Sequence, residues 1–154
     1  MVGNDPYPNL PAEQQLKKAV NDARSMAGRL RQLGYVVTAG ENADFRRFYA
    51  LWEEFSVGIT PGDEVAIFFS GHGVEIKGQN FLVPVDTVPP TTGEQTAFRK
   101  QLIDLGELTE VLKDERQPRV ALFIIDACRN NPFGSANGTR AVGGSKGLAM
   151  VEPP

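Results

Sequence analysis

At 154 residues, with 41% apolar and 23% charged side chains, the chain fits one globular domain able to bury a single core. The 16 Lys and Arg against 19 Asp and Glu leave a net charge of −3, which excludes a strongly basic nucleic-acid footprint and a polybasic membrane-binding surface. A single cysteine excludes an internal disulfide, and together with a single histidine it cannot furnish a structural zinc site.

The longest strongly apolar run, residues 120–125, is far short of the roughly 20 residues of a membrane-crossing helix. Residues 1–10 lack a basic start followed by an apolar stretch, so no signal peptide is expected and the reading is a cytoplasmic protein. Lys17, Lys18, Arg24, Arg29 and Arg31 are the densest basic group and read as the wet side of a helix.

In chain order, prolines 6, 8 and 11 make residues 4–11 a loop. A helix follows, starting between Glu13 and Asp22 and running to Leu33. Ala23, Met26, Ala27, Leu30 and Leu33 recur at helical spacing, Asn21 and Asp22 are N-cap candidates, and Gly34 is a natural stop. Residues 35–38 read as a short strand and 43–55 as a helix with Phe45, Phe48, Leu51, Trp52 and Phe55 on one side. After a turn at 60–63, residues 64–70 form a strand apolar on both faces, as in a buried parallel sheet. Residues 81–85 are another short strand, 84–93 a loop, and 103–115 a helix with Leu105, Leu108, Val111 and Leu112 inward. Residues 120–126 are the second apolar strand, and 129–154, rich in Gly, Asn, Ser and Pro, read as an irregular tail or linker. The alternation implies an α/β fold: a mostly parallel sheet with helices on both faces.

Sites in such sheets form beyond the carboxyl ends of the strands. There the strand 64–70 runs into Ser70-Gly71-His72-Gly73, and the strand 120–126 runs into Asp126-Ala127-Cys128-Arg129. A thiolate attacks carbonyl carbon, and a neighbouring imidazole promotes its ionisation and later protonates the leaving amine. Gly71 and Gly73 allow backbone to approach a substrate; the N–H groups of Gly73 and Cys128 are candidate oxyanion donors. A lone Cys after an apolar strand also fits a buried small hydrophobe, and a lone His between glycines fits a plain loop residue. Their joint placement on strand ends favours catalysis.

Ser70-Gly71-His72-Gly73 after a Phe-Phe strand, with Asp126-Ala127-Cys128-Arg129 some fifty residues later, resembles the caspase-like cysteine peptidases. Caspases proper have Gln where this chain has Asp126 and Gly where it has Asn130. The Asp-Ala-Cys form is similar to metacaspases, paracaspases and their bacterial relatives. Residues 2–7, the stretch from Asn21 to Tyr35, Gly62-Asp63, and 78–86 also resemble that branch, so the likeness covers essentially all of residues 1–154 as one catalytic domain, the large-subunit part.

The resemblance implies a three-layer caspase-like sandwich whose sheet is incomplete in this stretch, and a cysteine endopeptidase cutting after Arg or Lys. His72 would be the general acid/base, Cys128 the nucleophile, and Gly73 and Cys128 the oxyanion donors. Asp22 and Asp126, with Ser70 beside them, would bind a basic side chain; two carboxylates suit a guanidinium and repel Asp. It also implies a smaller half that completes the sheet as partner, and Arg140 and Lys146 as self-processing sites. Many metacaspases need calcium, but no dense acidic cluster follows His72, so no metal or other cofactor is expected. The competing readings are a non-catalytic caspase-like scaffold, which would lack the His or the Cys, and another α/β enzyme; for a nucleotide-binding protein the usual Gly-rich phosphate loop is missing.

Overall fold

The computed structural model describes residues 1–91, 95–128 and 133. In chain order its strands are β1 (Val2–Gly3), β2 (Gly40–Glu41), β3 (Glu64–Ile76), β4 (Gln79–Leu82), β5 (Ile103–Asp104) and β6 (Val120–Cys128). Its helices are α1 (Ala19–Gln32), α2 (Phe45–Val57), α3 (Gln95–Arg99) and α4 (Leu105–Glu110), the last continued by a π-helical turn, Val111–Arg116.

The two apolar runs form the centre of the sheet. β3 and β6 pair in parallel without interruption from Glu64↔Val120 to His72↔Cys128. On its other side β3 takes β1 in parallel through Val2↔Phe69 and Gly3↔Ser70, with β2 beyond. Past His72 the partners change: β3 pairs antiparallel with β4, and β4 with β5. The sheet is therefore parallel across β2-β1-β3-β6 and antiparallel across β3-β4-β5.

Side chains alternate across β3, and each face finds a helix. Phe48 and Leu51 of α2 and Leu108 of α4 pack with Val2, Phe69, Leu82 and Ile103. Each such side chain, fully buried, contributes about 1.5–3 kcal/mol. α1 lies against the opposite face, with Gly3 so close to Ala19 and Ala23 that any Cβ would collide with them. Helices on both faces of an α/β sheet match the expected architecture. Asn4, fully buried, ties the layers together: its carboxamide accepts from the Ala43 N–H at 2.9 Å and donates to the carbonyls of Ala43 and Val83.

Several boundaries differ from the sequence reading. The N-cap position of α1 is Lys18, and neither Asn21 nor Asp22 caps the helix. Asp5 does so from the preceding loop, its carboxylate accepting from the N–H groups of Ala19 (2.7 Å) and Val20 (3.2 Å). Gly34, at φ +90°, ends α1 as expected, with the Tyr35 N–H returning to the Leu30 carbonyl. Residues 35–38 are not a strand, because β1 offers ladder partners only to Gly40 and Glu41; Val36 is 99% exposed. A cavity of about 400 Å³ lies between this segment, α2 and the 64–69 stretch of β3; it is lined by Tyr35, Leu51, Trp52, Phe55 and Ile67 and by none of the expected site residues.

β3, expected to end at Ser70, continues through His72 to Ile76, because residues 79–82 fold back as its hairpin partner. Residues 103–115 split into β5, α4 and the π-helical turn: Asp104 caps α4 by accepting from the Gly106 N–H at 2.9 Å. α3 fell in a stretch given no element. The tail from 129 lies outside the described residues apart from Phe133, whose ring packs 4.7 Å from that of Phe98.

Candidate active site

The unbroken parallel ladder decides which residues meet. Its last rungs are Ser70↔Asp126, Gly71↔Ala127 and His72↔Cys128, so the chain's one imidazole and one thiol are attached to facing Cα positions 56 residues apart in sequence. Paired positions on neighbouring strands belong to the same face. Two rungs earlier this is visible in the side chains: the Ser70 hydroxyl donates to Asp126 Oδ2 at 3.1 Å.

His72 is held from several directions. The rung it would make with Val83 is half direct: the Val83 N–H donates to the His72 carbonyl at 3.0 Å. The return bond is bridged by Tyr7, whose hydroxyl accepts from the His72 N–H (2.9 Å) and donates to the Val83 carbonyl (3.3 Å). Tyr7 also lays its ring 4.5 Å from the imidazole and is 1% exposed. Gly71 makes room for this: a Cβ there would stand 2.7 Å from both the Tyr7 hydroxyl and the Phe69 ring. The glycine expected to admit a substrate thus admits an internal tyrosine.

The ring itself is oriented by a backbone carbonyl. His72 Nε2 lies 2.7 Å from the Gln14 oxygen. A carbonyl can only accept, so Nε2 carries the proton in the neutral ring and Nδ1 carries the lone pair. Nδ1 is buried and has no hydrogen-bond partner among the described residues. Burial of the ring lowers the His72 pKa below 6.5, with the Gln14 carbonyl pulling the other way. At neutral pH His72 is a neutral imidazole with its proton on Nε2, and its Nδ1 lone pair is unmatched among the described residues.

Gly73 pairs with Leu82 one rung beyond the His72–Val83 pair. Hydrogen-bonded and open pairs alternate in an antiparallel ladder, so the Gly73 N–H points away from β4, toward the side on which β6 ends. Asp126 is exposed, in contrast to Ser70 at 3%. Asp22 is exposed in the first turn of α1, and its carboxylate makes no bond to Ser70 or Asp126 among the described residues. Arg140 and Lys146 lie outside the described residues. Among the described residues no group of three His, Cys, Asp or Glu is placed to hold a metal ion, and no helix is long and apolar enough to cross a membrane.

A family model described as the caspase domain matches residues 1–151. The chain belongs to the caspase-domain family. The family consists of cysteine peptidases, so the α/β sheet and its His and Cys motifs belong to a protease lineage. The chain is also similar to the human mucosa-associated lymphoid tissue lymphoma translocation protein 1, at 27% identity over 130 residues. That alignment covers 84% of this chain and 14% of the human protein, and the mouse homolog matches with the same figures. The caspase-domain chain thus spans about one seventh of the length of these curated relatives.

Sequence reasoning missed Tyr7, Gln14 and Val83 as neighbours of the imidazole. Tyr7 stands at the end of the stretch 2–7 that carried part of the family resemblance, which was its only signal. Gln14 and Val83 act through main-chain atoms that every residue type shares, so no side-chain pattern could have marked them.

Proposed function

We propose that this caspase domain is a cysteine endopeptidase that cuts after Arg or Lys, with Cys128 as nucleophile and His72 as general base and acid. The observation that carries the reading is the His72↔Cys128 rung beside an imidazole whose Nε2 is tied to Gln14 and whose Nδ1 has no partner among the described residues. The Cys128 thiol gives its proton to His72 Nδ1 as sulfur attacks the substrate carbonyl carbon. The oxyanion is met by the N–H groups of Gly73 and Cys128. Collapse of the tetrahedral adduct breaks the C–N bond, and the proton on Nδ1 passes to the departing amine, leaving a thioester. Water then adds to the thioester, giving its proton to Nδ1, and the carboxylic acid leaves as the thiol is restored. No step draws on a metal ion.

Specificity follows from charge. Ser70 holds one oxygen of Asp126 and leaves the other for a guanidinium or ammonium. Asp22, on the α1 face of the same sheet edge, is proposed as the second carboxylate. The open edge of β6 is where the smaller half expected of the family would add, supplying a further wall to this pocket. Arg140 and Lys146 are candidate self-cleavage points, to be read by intact mass.

Peptide reporters ending in Arg, Lys or Asp test this directly. Arg and Lys reporters should be cleaved and Asp reporters spared, and Cys128→Ala should lower turnover by at least ~10³-fold. Cleavage persisting in Cys128→Ala would remove the nucleophile assignment. Asp126→Ala should cost Arg reporters about 10- to 100-fold in kcat/KM, the worth of a charged hydrogen bond, and cost uncharged reporters little. An equal loss across reporters would remove the pocket assignment. Because the chain has one cysteine, the mass gained on alkylation reads Cys128 alone even where turnover is slow.

A further inference from the structure

The Gln14 carbonyl that fixes the imidazole ends a single 3-10 turn, Ala12–Gln14, within the connection between β1 and α1, and so short a turn wanders unless tied down. The tie is the side chain of the next residue. Gln15 Oε1 accepts from the Tyr7 N–H at 2.8 Å, and Gln15 Nε2 donates to the Tyr7 carbonyl at 2.8 Å and to the Leu10 carbonyl at 2.7 Å. The carboxamide therefore reads both main-chain groups of Tyr7, as a neighbouring strand would, and closes the loop from 7 to 15 on itself. Its ends are anchored independently: the Leu16 N–H donates to the Asp5 carbonyl at 3.1 Å, and the Tyr7 hydroxyl reaches His72 in β3 and Val83 just past β4.

Two planar units then connect this clamp to the ring. The Gln14 carbonyl and the Gln15 N–H belong to one peptide plane, so anchoring Gln15 to Tyr7 turns that plane and aims its oxygen. Tyr7, the residue Gln15 grips, is also the one that packs on the imidazole and bridges His72 to Val83. Both contacts to His72 thus run back to one carboxamide. The short 3-10 turn Ala12–Gln14 orders the loop locally, but its bonds, from Gln14 to Pro11 and from Gln15 to Ala12, do not reach Tyr7.

We propose that Gln15 is a positioning residue: its carboxamide locks the loop between β1 and α1 so that the Gln14 carbonyl holds His72 in the Nε2–H form and leaves Nδ1 as the base. The part concerning catalysis rests on the function proposed above; the part concerning the tautomer does not.

Nitrogen-15 NMR of the protein separates the two, because His72 is the only histidine and gives the only imidazole signals. The wild type should show a single Nε2–H tautomer near pH 7.5. Gln15→Leu removes every side-chain bond of Gln15 at similar volume, and Gln15→Glu keeps the acceptor for the Tyr7 N–H but turns a carboxylate on the carbonyls of Tyr7, Leu10 and Pro11. Both should show mixed tautomers and faster exchange of the Nε2 proton, with unfolding still cooperative. Arg reporters should lose about ten- to hundredfold in kcat with KM changed less than about twofold, the mark of a misplaced group rather than lost binding. Gln32→Leu, an exposed glutamine on α1, should leave tautomer and turnover as in the wild type. A wild-type tautomer in a folded Gln15→Leu or Gln15→Glu protein overturns the proposal whatever the turnover. If Gln15→Leu does not fold, Gln15→Glu decides. Mixed tautomers in the variants with no hydrolysis by any form would uphold the clamp and overturn the peptidase reading instead.

Discussion

His72 and Asp126 stand two rungs apart on adjoining strands, yet one is enclosed and the other open. His72 is 4% exposed, with Tyr7 on its ring, Gln14 on its Nε2 and Val83 on its main-chain carbonyl. β6, by contrast, leaves Val120 45% and Leu122 52% exposed, and Asp126 meets only the Ser70 hydroxyl among the described residues. The difference fits the work proposed for each. A base must be aimed and dry before substrate arrives, because its tautomer and angle cannot be repaired in the transition state. A carboxylate that waits for a cation gains from staying hydrated and uncommitted, since a buried unpaired charge is costly. The enclosed half therefore draws on the connection before α1, on β3 and on the residue after β4, and the open half on β6 and the Ser70 hydroxyl.

The sharpest way to break this contrast is to disturb the enclosed half at its tightest point. Gly71→Ala places a Cβ against both the Tyr7 hydroxyl and the Phe69 ring. Overpacking of this kind costs about 1–3 kcal/mol, to be read from urea midpoints at constant slope. Displacement of Tyr7 should also lower turnover and mix the His72 tautomers. A Gly71→Ala protein as stable and as singly tautomeric as the wild type would mean that Tyr7 has room to spare and that the brace is loose.

A smaller effect follows from burial of the ring. The folded-state pKa of His72 lies below its ordinary 6.5, chiefly through desolvation. The unfolded chain then binds a proton that the folded one refuses, so this group lowers stability as pH falls below about 6.5 and levels off once the folded pKa is passed. Above about 6.5 it contributes nothing. Carboxylates titrate in the same experiment, so the comparison is with His72→Gln, which lacks the imidazole but shares them. Between about pH 7.5 and about pH 5 the wild type should lose more stability than His72→Gln; parallel curves would place the ring in water.

How much of this could be read from residues alone also divides along the two halves. The apolar runs at 64–70 and 120–126, the stop at Gly34 and the place of Cys128 at the end of β6 followed from local pattern, whereas His72, expected past the end of a strand, lies inside β3. The register that pairs them did not, because ladder alignment depends on how whole strands slide. The short strands were misjudged for a related reason: β2 and β5 contribute two residues each, and their existence is set by a partner rather than by propensity. The brace around His72 was invisible because Gln14 and Val83 act through carbonyl and amide groups, and Gln15 caps a loop by bonds that no spacing rule anticipates. Asp22, expected to bind a basic side chain and a candidate to cap α1 as well, does not cap it, since Asp5 reaches the helix terminus first.

The smallest expected effect examines the open half. Leu122 projects from β6 with half its surface in water, and Thr is as comfortable in a strand as Leu. For the domain as it stands, Leu122→Thr should change stability by no more than about 0.5 kcal/mol, the range of ordinary surface substitutions. Measured against Gly71→Ala on the same strand pair, that gap is the enclosed-versus-open difference expressed as free energy. A loss above about 1 kcal/mol would show that the Leu122 face is covered in solution, since only a side chain already removed from water forfeits burial when it is shortened. Dilution then tells what covers it: a loss that fades at low protein concentration belongs to a second copy, and one that does not belongs to the chain itself.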